Sequence, residues 1–174
     1  IIYDEIPLKN DRPNLEEIEK QVNLDTAMVY IQRSRGYELR PSLTVEEIAE
    51  IVRIVKSKNQ NCIVMVDNCY GEFVQKQEPT EVGADLVVGS LIKNLGGGIA
   101  PNGAYICGKK ELIELCAERL NVPGQGKEVG PSNDSNRMFL LGLYMAPSVV
   151  ASSLKTAILM SYVKINAMFY GQKH

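Results

Sequence analysis

The stretch that decides the fold runs VMVDNCYGEF (Val64–Phe73) and, after a short spacer, GADLVVGSLIKNLGGG (Gly83–Gly98). Each half holds a compact apolar run that stops abruptly at a polar residue. The first stops at Asp67, the second at Ser90 and then Lys93. Short apolar runs rich in β-branched residues, bounded by turn residues, read as buried strands. Two more runs of this kind, 27–31 and 103–107, flank 62–66 and 85–89.

Helical patterns fill the gaps. Asn14 is placed to cap a helix in which Leu15, Ile18 and Val22 recur at helical spacing. Thr44-Val45-Glu46-Glu47 is a capping box, and Val45, Ile48, Val52 and Val55 then share one face to about Lys58. A third helix is expected from Lys109 or Lys110 to about Leu120, and a fourth from about Asn136 to Phe169. Pro147 lies inside the fourth and is expected to end or kink it. Ile1–Pro7 reads as a short edge strand, 72–82 as irregular chain or a short helix broken by Pro79 and ended by Gly83, and Asn121–Asn133 as a long Gly/Pro loop. Strands alternating with helices imply an α/β fold, with a three-layer α-β-α arrangement and a mainly parallel sheet.

Composition narrows the function classes. The 174 residues are 45% hydrophobic and 23% charged, which suits a globular domain. A net charge of -2 gives no basic surface for nucleic acid or an anionic membrane. No apolar run in the sequence approaches the roughly 18 residues of a membrane span, and the first residues lack a basic leader. The four cysteines, Cys62, Cys69, Cys107 and Cys116, have no C-x-x-C spacing, and the sole histidine is His174. No metal site is expected; the cysteines read as buried free thiols of a cytoplasmic protein.

In open α/β sheets, ligands bind beyond the carboxyl ends of the strands. Strand 27–31 delivers Gln32, Ser34 and Arg35 to that edge, strand 62–66 delivers Asp67, Asn68 and Tyr70, and strand 85–89 delivers Ser90 and Lys93. Singly these are ordinary: a strand-terminal Asp caps turns, a loop lysine is a solvated charge, and the GGG run turns the chain. Together they form a set. A lysine at the mouth of a buried sheet is expected to be desolvated, with a lowered pKa that frees its amine to attack an aldehyde. An aspartate can hold the proton on a heteroaromatic nitrogen, and a hydroxyl can bind phosphate. These are the three demands of pyridoxal phosphate.

VDNCYGEF, followed by EPTEVGADLVVGSLIKNLGGGIAPNGAYICG, resembles the aluminium-resistance protein family. That family is similar to methionine gamma-lyase and cystathionine beta-lyase, among the fold-type-I pyridoxal-phosphate enzymes. YIQRSRGYELRPSLTVEEI and RLNVPGQGKEVGPS carry the same resemblance. It implies that Lys93 binds the cofactor's aldehyde and moves protons at the substrate's α-carbon. It implies that Asp67 keeps the pyridine nitrogen protonated, that Ser90 binds the phosphate, and that Gln32 and Ser34 lie near the ring. Tyr70 and Asn68 would shape the pocket.

The resemblance further implies a carbon–sulfur lyase acting by elimination on a sulfur amino acid of the cystathionine or methionine type, in a homodimer or homotetramer. Transamination, desulfuration or aldol cleavage with the same cofactor, and a non-catalytic α/β remnant, are the alternatives. Residues 1–145 would be the central and C-terminal part of the large, cofactor-binding domain. Residues 146–174 would lead toward a small domain outside this sequence, so the chain alone is expected to have weak or no activity.

Overall fold

The computed structural model describes residues 2–130 and 135–171. The elements run α1 (Leu15–Gln21), β1 (Met28–Gln32), α2 (Val45–Lys58), β2 (Ile63–Asp67), β3 (Leu86–Ser90), β4 (Ala104–Gly108), α3 (Lys110–Leu120) and α4 (Asn136–Gly171). Among the described residues the sheet has the order β1-β2-β3-β4. β1, β2 and β3 are parallel, and β4 returns antiparallel to β3. The fold is thus the expected α/β class with a mainly parallel sheet. Each strand begins and ends one residue later than its apolar run. The hydrogen-bonded ladder therefore takes in Gln32, Asp67 and Ser90 as strand residues.

The helices start where the sequence caps them. Asn14 Oδ1 accepts from the Glu17 amide at 3.3 Å. In α2 the capping box is complete: the Glu47 amide donates to Thr44 Oγ1 at 3.2 Å, and the Thr44 amide donates to Glu47 Oε2 at 2.8 Å. The apolar stripe of α2, Val45, Ile48, Ile51, Val52, Ile54 and Val55, is buried. It packs with Ile18 and Val22 and with Ile31, Val64, Val66 and Val87 of the sheet, so α1 and α2 cover one face. Successive strand residues alternate faces. Met28, Tyr30 and Gln32 are exposed on the other side of β1.

Asp85, one residue before β3, ties the sheet's amino edge to both flanking lysines. Its side chain is 3% exposed and meets Lys56 and Lys109, each at 2.6 Å. It also accepts from the Val64 amide at 2.7 Å. Burial raises its pKa, but the bonds from Lys109, Lys56 and Val64 outweigh burial and hold it below the usual carboxylate range. A depressed carboxylate contributes stability above its unfolded pKa and loses it as pH falls through the folded value. Asp85→Asn should therefore cost about 2 kcal/mol at neutral pH and flatten the loss of stability below about pH 4. Urea unfolding of both proteins across that range checks it, and an unchanged acid limb would contradict it.

Several expectations are corrected. Of the expected strand, Ile1 lies outside the described residues and 2–8 form none: Ile2 and Tyr3 are 92% and 77% exposed, and a Lys9–Arg12 bridge closes the turn that follows. Pro79 opens a 3-10 turn, Pro79–Val82, rather than breaking one, because a first-turn position needs no amide donor. Of the two outcomes expected of Pro147, an end or a kink, the end does not occur, and α4 runs through it. Asn136–Lys164 is also long and apolar enough to cross a membrane, by length and composition only. Gly142, four serines and Lys155 interrupt its apolar residues without dispersing them. Cys62 is buried, but Cys107 is exposed. The end of the Asn121–Asn133 loop lies outside the described residues.

The GGG run does more than turn the chain. A Cβ on Gly97 would run into the Gly142 carbonyl, and one on Gly142 into the Gly96 carbonyl. The loop after Lys93 thus rests backbone-on-backbone against α4, with Ala146 and Val150 buried beside it.

Candidate active site

The carboxyl ends of β1, β2 and β3 make one edge. Gln32 is the register partner of Asp67, and Asp67 of Val88. Register partners share a face, and so do residues two apart. Gln32, Asp67 and Ser90 consequently lie on the face opposite the α1/α2 core.

Asp67 is held by two donors. The Tyr30 hydroxyl donates to Oδ2 at 3.3 Å, and the Cys69 amide donates to Oδ1 at 3.0 Å. Burial, then the Asp67 charge, raises the Tyr30 pKa, so Tyr30 remains a donor. Lys93 follows Ser90 through a tight turn in which its amide donates to the Ser90 carbonyl at 3.3 Å. Its ammonium lies over the Tyr70 ring, 4.8 Å from the centroid. The structure thus brings Asp67, Tyr70, Cys69 and Lys93 together.

The expected lowered pKa of Lys93 is corrected. Burial pulls it down, but the neighbouring Cys69, Tyr70 and Asp67 outweigh burial, and the pKa sits above the ordinary lysine value. Lys93 is only partly buried, so desolvation cannot dominate. Cys69 is raised by burial and then by Asp67, which keeps it a thiol at neutral pH. Gln32 turns away from Asp67, donating to the Ser34 carbonyl at 3.3 Å. Ser34 sits in the loop beyond β1, where its carbonyl also accepts from Arg40 at 2.9 Å.

Asn68 does not face this site. It belongs to a buried network around Arg33, which the sequence reading passed over. Arg33 is 3% exposed. Its guanidinium donates to Asn68 Oδ1 at 2.7 Å, Gly71 O at 3.0 Å, Gln75 Oε1 at 2.9 Å and Leu43 O at 3.3 Å. Glu78 lies 3.5 Å away and accepts from Asn68 at 2.9 Å. The available signal was parity: Arg33 follows Ile31 on the core side of the strand, a position where a charge must be partnered.

The network shapes the turn after Asp67. Tyr70 and Phe73 adopt left-handed φ values of 67° and 61°. Such backbone costs a non-glycine residue roughly 1 kcal/mol or more and persists only when its surroundings enforce it. Here Gly71 N bonds Asn68 O at 2.8 Å, and Phe73 N bonds Glu78 Oε1 at 2.9 Å. Sequence reading also missed Glu72, buried behind this turn, and Tyr105, whose hydroxyl donates to it at 2.7 Å.

The profile of the methionine gamma-lyase family matches residues 1–172. The uncharacterized protein YnbB of Bacillus subtilis is 47% identical over 157 residues, covering 90% of this chain and 37% of that protein. The structure of a carbon-sulfur lyase involved in aluminum resistance from Clostridium novyi is 49% identical, with a TM-score of 0.84. That match covers 90% of this chain and 38% of the other. L-methionine gamma-lyase of Treponema denticola is 31% identical over 104 residues, 60% of this chain and 25% of that enzyme. The chain spans between about a third and a half of the length of the first curated relatives it matches.

Proposed function

The chain belongs to the methionine gamma-lyase family, and from that premise we propose that it is part of a pyridoxal-phosphate-dependent carbon–sulfur lyase. Its reaction is elimination from a sulfur amino acid of the cystathionine or methionine type. One observation carries the reading: three parallel strands bring Gln32, Asp67 and Ser90 to one face of one edge, and the next turn adds Lys93.

The donor set fits the cofactor's chemistry. Asp67 is fixed by two hydrogen bonds and keeps acceptor capacity for a ring N–H. Lys93 rests on an aromatic ring, 4.8 Å from its centroid, rather than on a carboxylate. Ser90 supplies a hydroxyl for a phosphate oxygen. When bound, pyridoxal phosphate supplies an electron sink for the charge left at the substrate's α-carbon.

The residues do the rest. Asp67 holds the proton on the ring nitrogen by a charge-assisted hydrogen bond. Tyr30 and the Cys69 amide keep the Asp67 carboxylate from rotating. Lys93 must be neutral to attack, and its neighbours Cys69, Tyr70 and Asp67, which raise its pKa against the effect of burial, oppose that. With the cofactor and substrate bound, the Lys93 amine would serve as the base that takes the α-proton and the acid that returns it at the leaving thiolate. On the same reading residues 1–145 belong to the cofactor-binding large domain, and 146–174 lead toward a smaller one.

The test is incubation of the full-length protein that contains this chain with pyridoxal phosphate and L-cystathionine or L-methionine. Release of thiol and oxo acid in equal amounts is the expected result. Cofactor uptake with no thiol from any sulfur amino acid would sink the lyase assignment and favour transamination or aldol cleavage.

A further inference from the structure

We propose that Glu72 is a positioning residue that sets the placement of Lys93 relative to Asp67; this rests on the cofactor reading above. The residue stands where three elements of the site converge. Its carbonyl accepts from Asn94 Nδ2 at 3.1 Å, and Asn94 is the neighbour of Lys93. Its carboxyl Oε1 accepts from the Tyr105 hydroxyl at 2.7 Å, and Tyr105 belongs to β4. Its own chain position, five residues after Asp67, places it on the turn that carries Cys69 and Tyr70.

Neighbouring glycines make this junction possible. A Cβ on Gly89 would lie 2.5 Å from the Tyr105 ring. Only a bare strand residue lets that ring lie across β3, one position before Ser90, and reach Glu72. A Cβ on Gly71 would similarly lie 2.5 Å from Arg33 Nη1. The turn is therefore seated on Arg33 from one side and tied to Tyr105 and Asn94 from the other.

Hydrogen bonding alone does not explain the carboxyl, whose charge also opposes the effect of burial on Arg33. Glu72 is 2% exposed, and its Oε2 has no hydrogen-bond partner among the described residues. Burial pushes its pKa above the usual carboxylate range, despite the Tyr105 bond. A half-satisfied buried carboxyl is unfavourable, and an apolar side chain of like size would fold at least as well. What the carboxyl adds is direction. It fixes residue 72 through Tyr105, so that the residue 72 carbonyl meets Asn94 and the two turns keep one spacing.

The experiment measures cofactor affinity and stability together. The double replacement Glu72→Met with Tyr105→Phe removes both polar partners at once. Its melting temperature is expected to equal or exceed that of the wild type. Its affinity for pyridoxal phosphate, read by titrating the visible band, is expected to fall about tenfold. Glu72→Gln keeps an acceptor for the Tyr105 hydroxyl and should retain affinity within about threefold. Unchanged affinity in the folded double variant overturns the positioning role. If that variant fails to fold, Tyr105→Phe alone decides: weaker affinity supports the role and unchanged affinity overturns it. Wild-type protein that takes up no pyridoxal phosphate would overturn the cofactor reading itself and this role with it, a result distinct from equal binding by all variants.

Discussion

Replacing Lys93 with alanine is expected to abolish the protein's visible pyridoxal-phosphate absorbance and its thiol release while leaving the fold in place. The side chain contributes little to folding. Its described contacts are with the Tyr70 ring and the Cys69 side chain, and an exposed cation–ring contact is worth about 0.5–1 kcal/mol. The backbone around it is held independently, by Lys93 N to Ser90 O and Gly96 N to Lys93 O. Alanine preserves both bonds. Far-ultraviolet circular dichroism should therefore match the wild type while the visible band disappears. Borohydride reduction followed by peptide mapping sharpens the test. The wild type should carry a phosphopyridoxyl group on the peptide containing Lys93, and the variant should carry none. A variant that keeps the band, or a wild-type adduct on another lysine, would remove Lys93 from its role.

Arg33→Ala has the largest expected effect on stability, about 4 kcal/mol. The guanidinium is a buried charge whose desolvation is offset by four described hydrogen bonds and by Glu78. Burial lowers its pKa, and Glu78 and Glu72 oppose that. Alanine would strand Asn68 Oδ1 and the Gly71 and Leu43 carbonyls without the guanidinium, leave Gln75 Oε1 with the Val45 amide alone, and open a cavity beside Gly71. Each orphaned buried group costs roughly 1–3 kcal/mol, reduced by whatever water can enter. Urea unfolding should show the loss as a lowered midpoint. A loss under about 1 kcal/mol would mean that the network relaxes around the gap. Because Asn68 adjoins Asp67, the variant should also bind cofactor more weakly where it remains folded.

Much of this was legible in the chain itself, because local rules act on neighbours. The capping boxes, the α2 stripe and the four apolar runs each declare themselves within about a dozen residues. Gln32, Asp67 and Ser90 stand out because polar side chains end those runs. The one-residue offset of each strand has a plain cause: ladder hydrogen bonds, not hydrophobicity, define where a strand stops. What was hidden depends on distance in sequence. Lys93 looked desolvated until the fold placed Cys69, Tyr70 and Asp67 beside it. Gly97 looked like a turn until α4 arrived against it. Arg33 and Glu72 are charged residues whose partners lie on other elements, so nothing nearby announces them.

The parallel sheet has a kinetic consequence. Ser90 pairs with Ala104 in the antiparallel β4, but Met28 pairs with Ile63 and Met65 with Leu86, and neither parallel pairing can be made by a hairpin between sequence neighbours. Each pairing must first close a long loop, and that entropy is lost before the ladder returns anything. Helix α2, capped at both partners of its box, can form on its own segment and offer a template for β1 and β2. Until it does, IVMVD and LVVGS are short, uncharged-to-acidic, β-prone segments with open edges. The residues that make the site are thus among the last to be assembled. The segments that carry them are the ones most exposed to mispairing during synthesis, which makes a chaperone requirement at high expression the natural accompaniment of this topology.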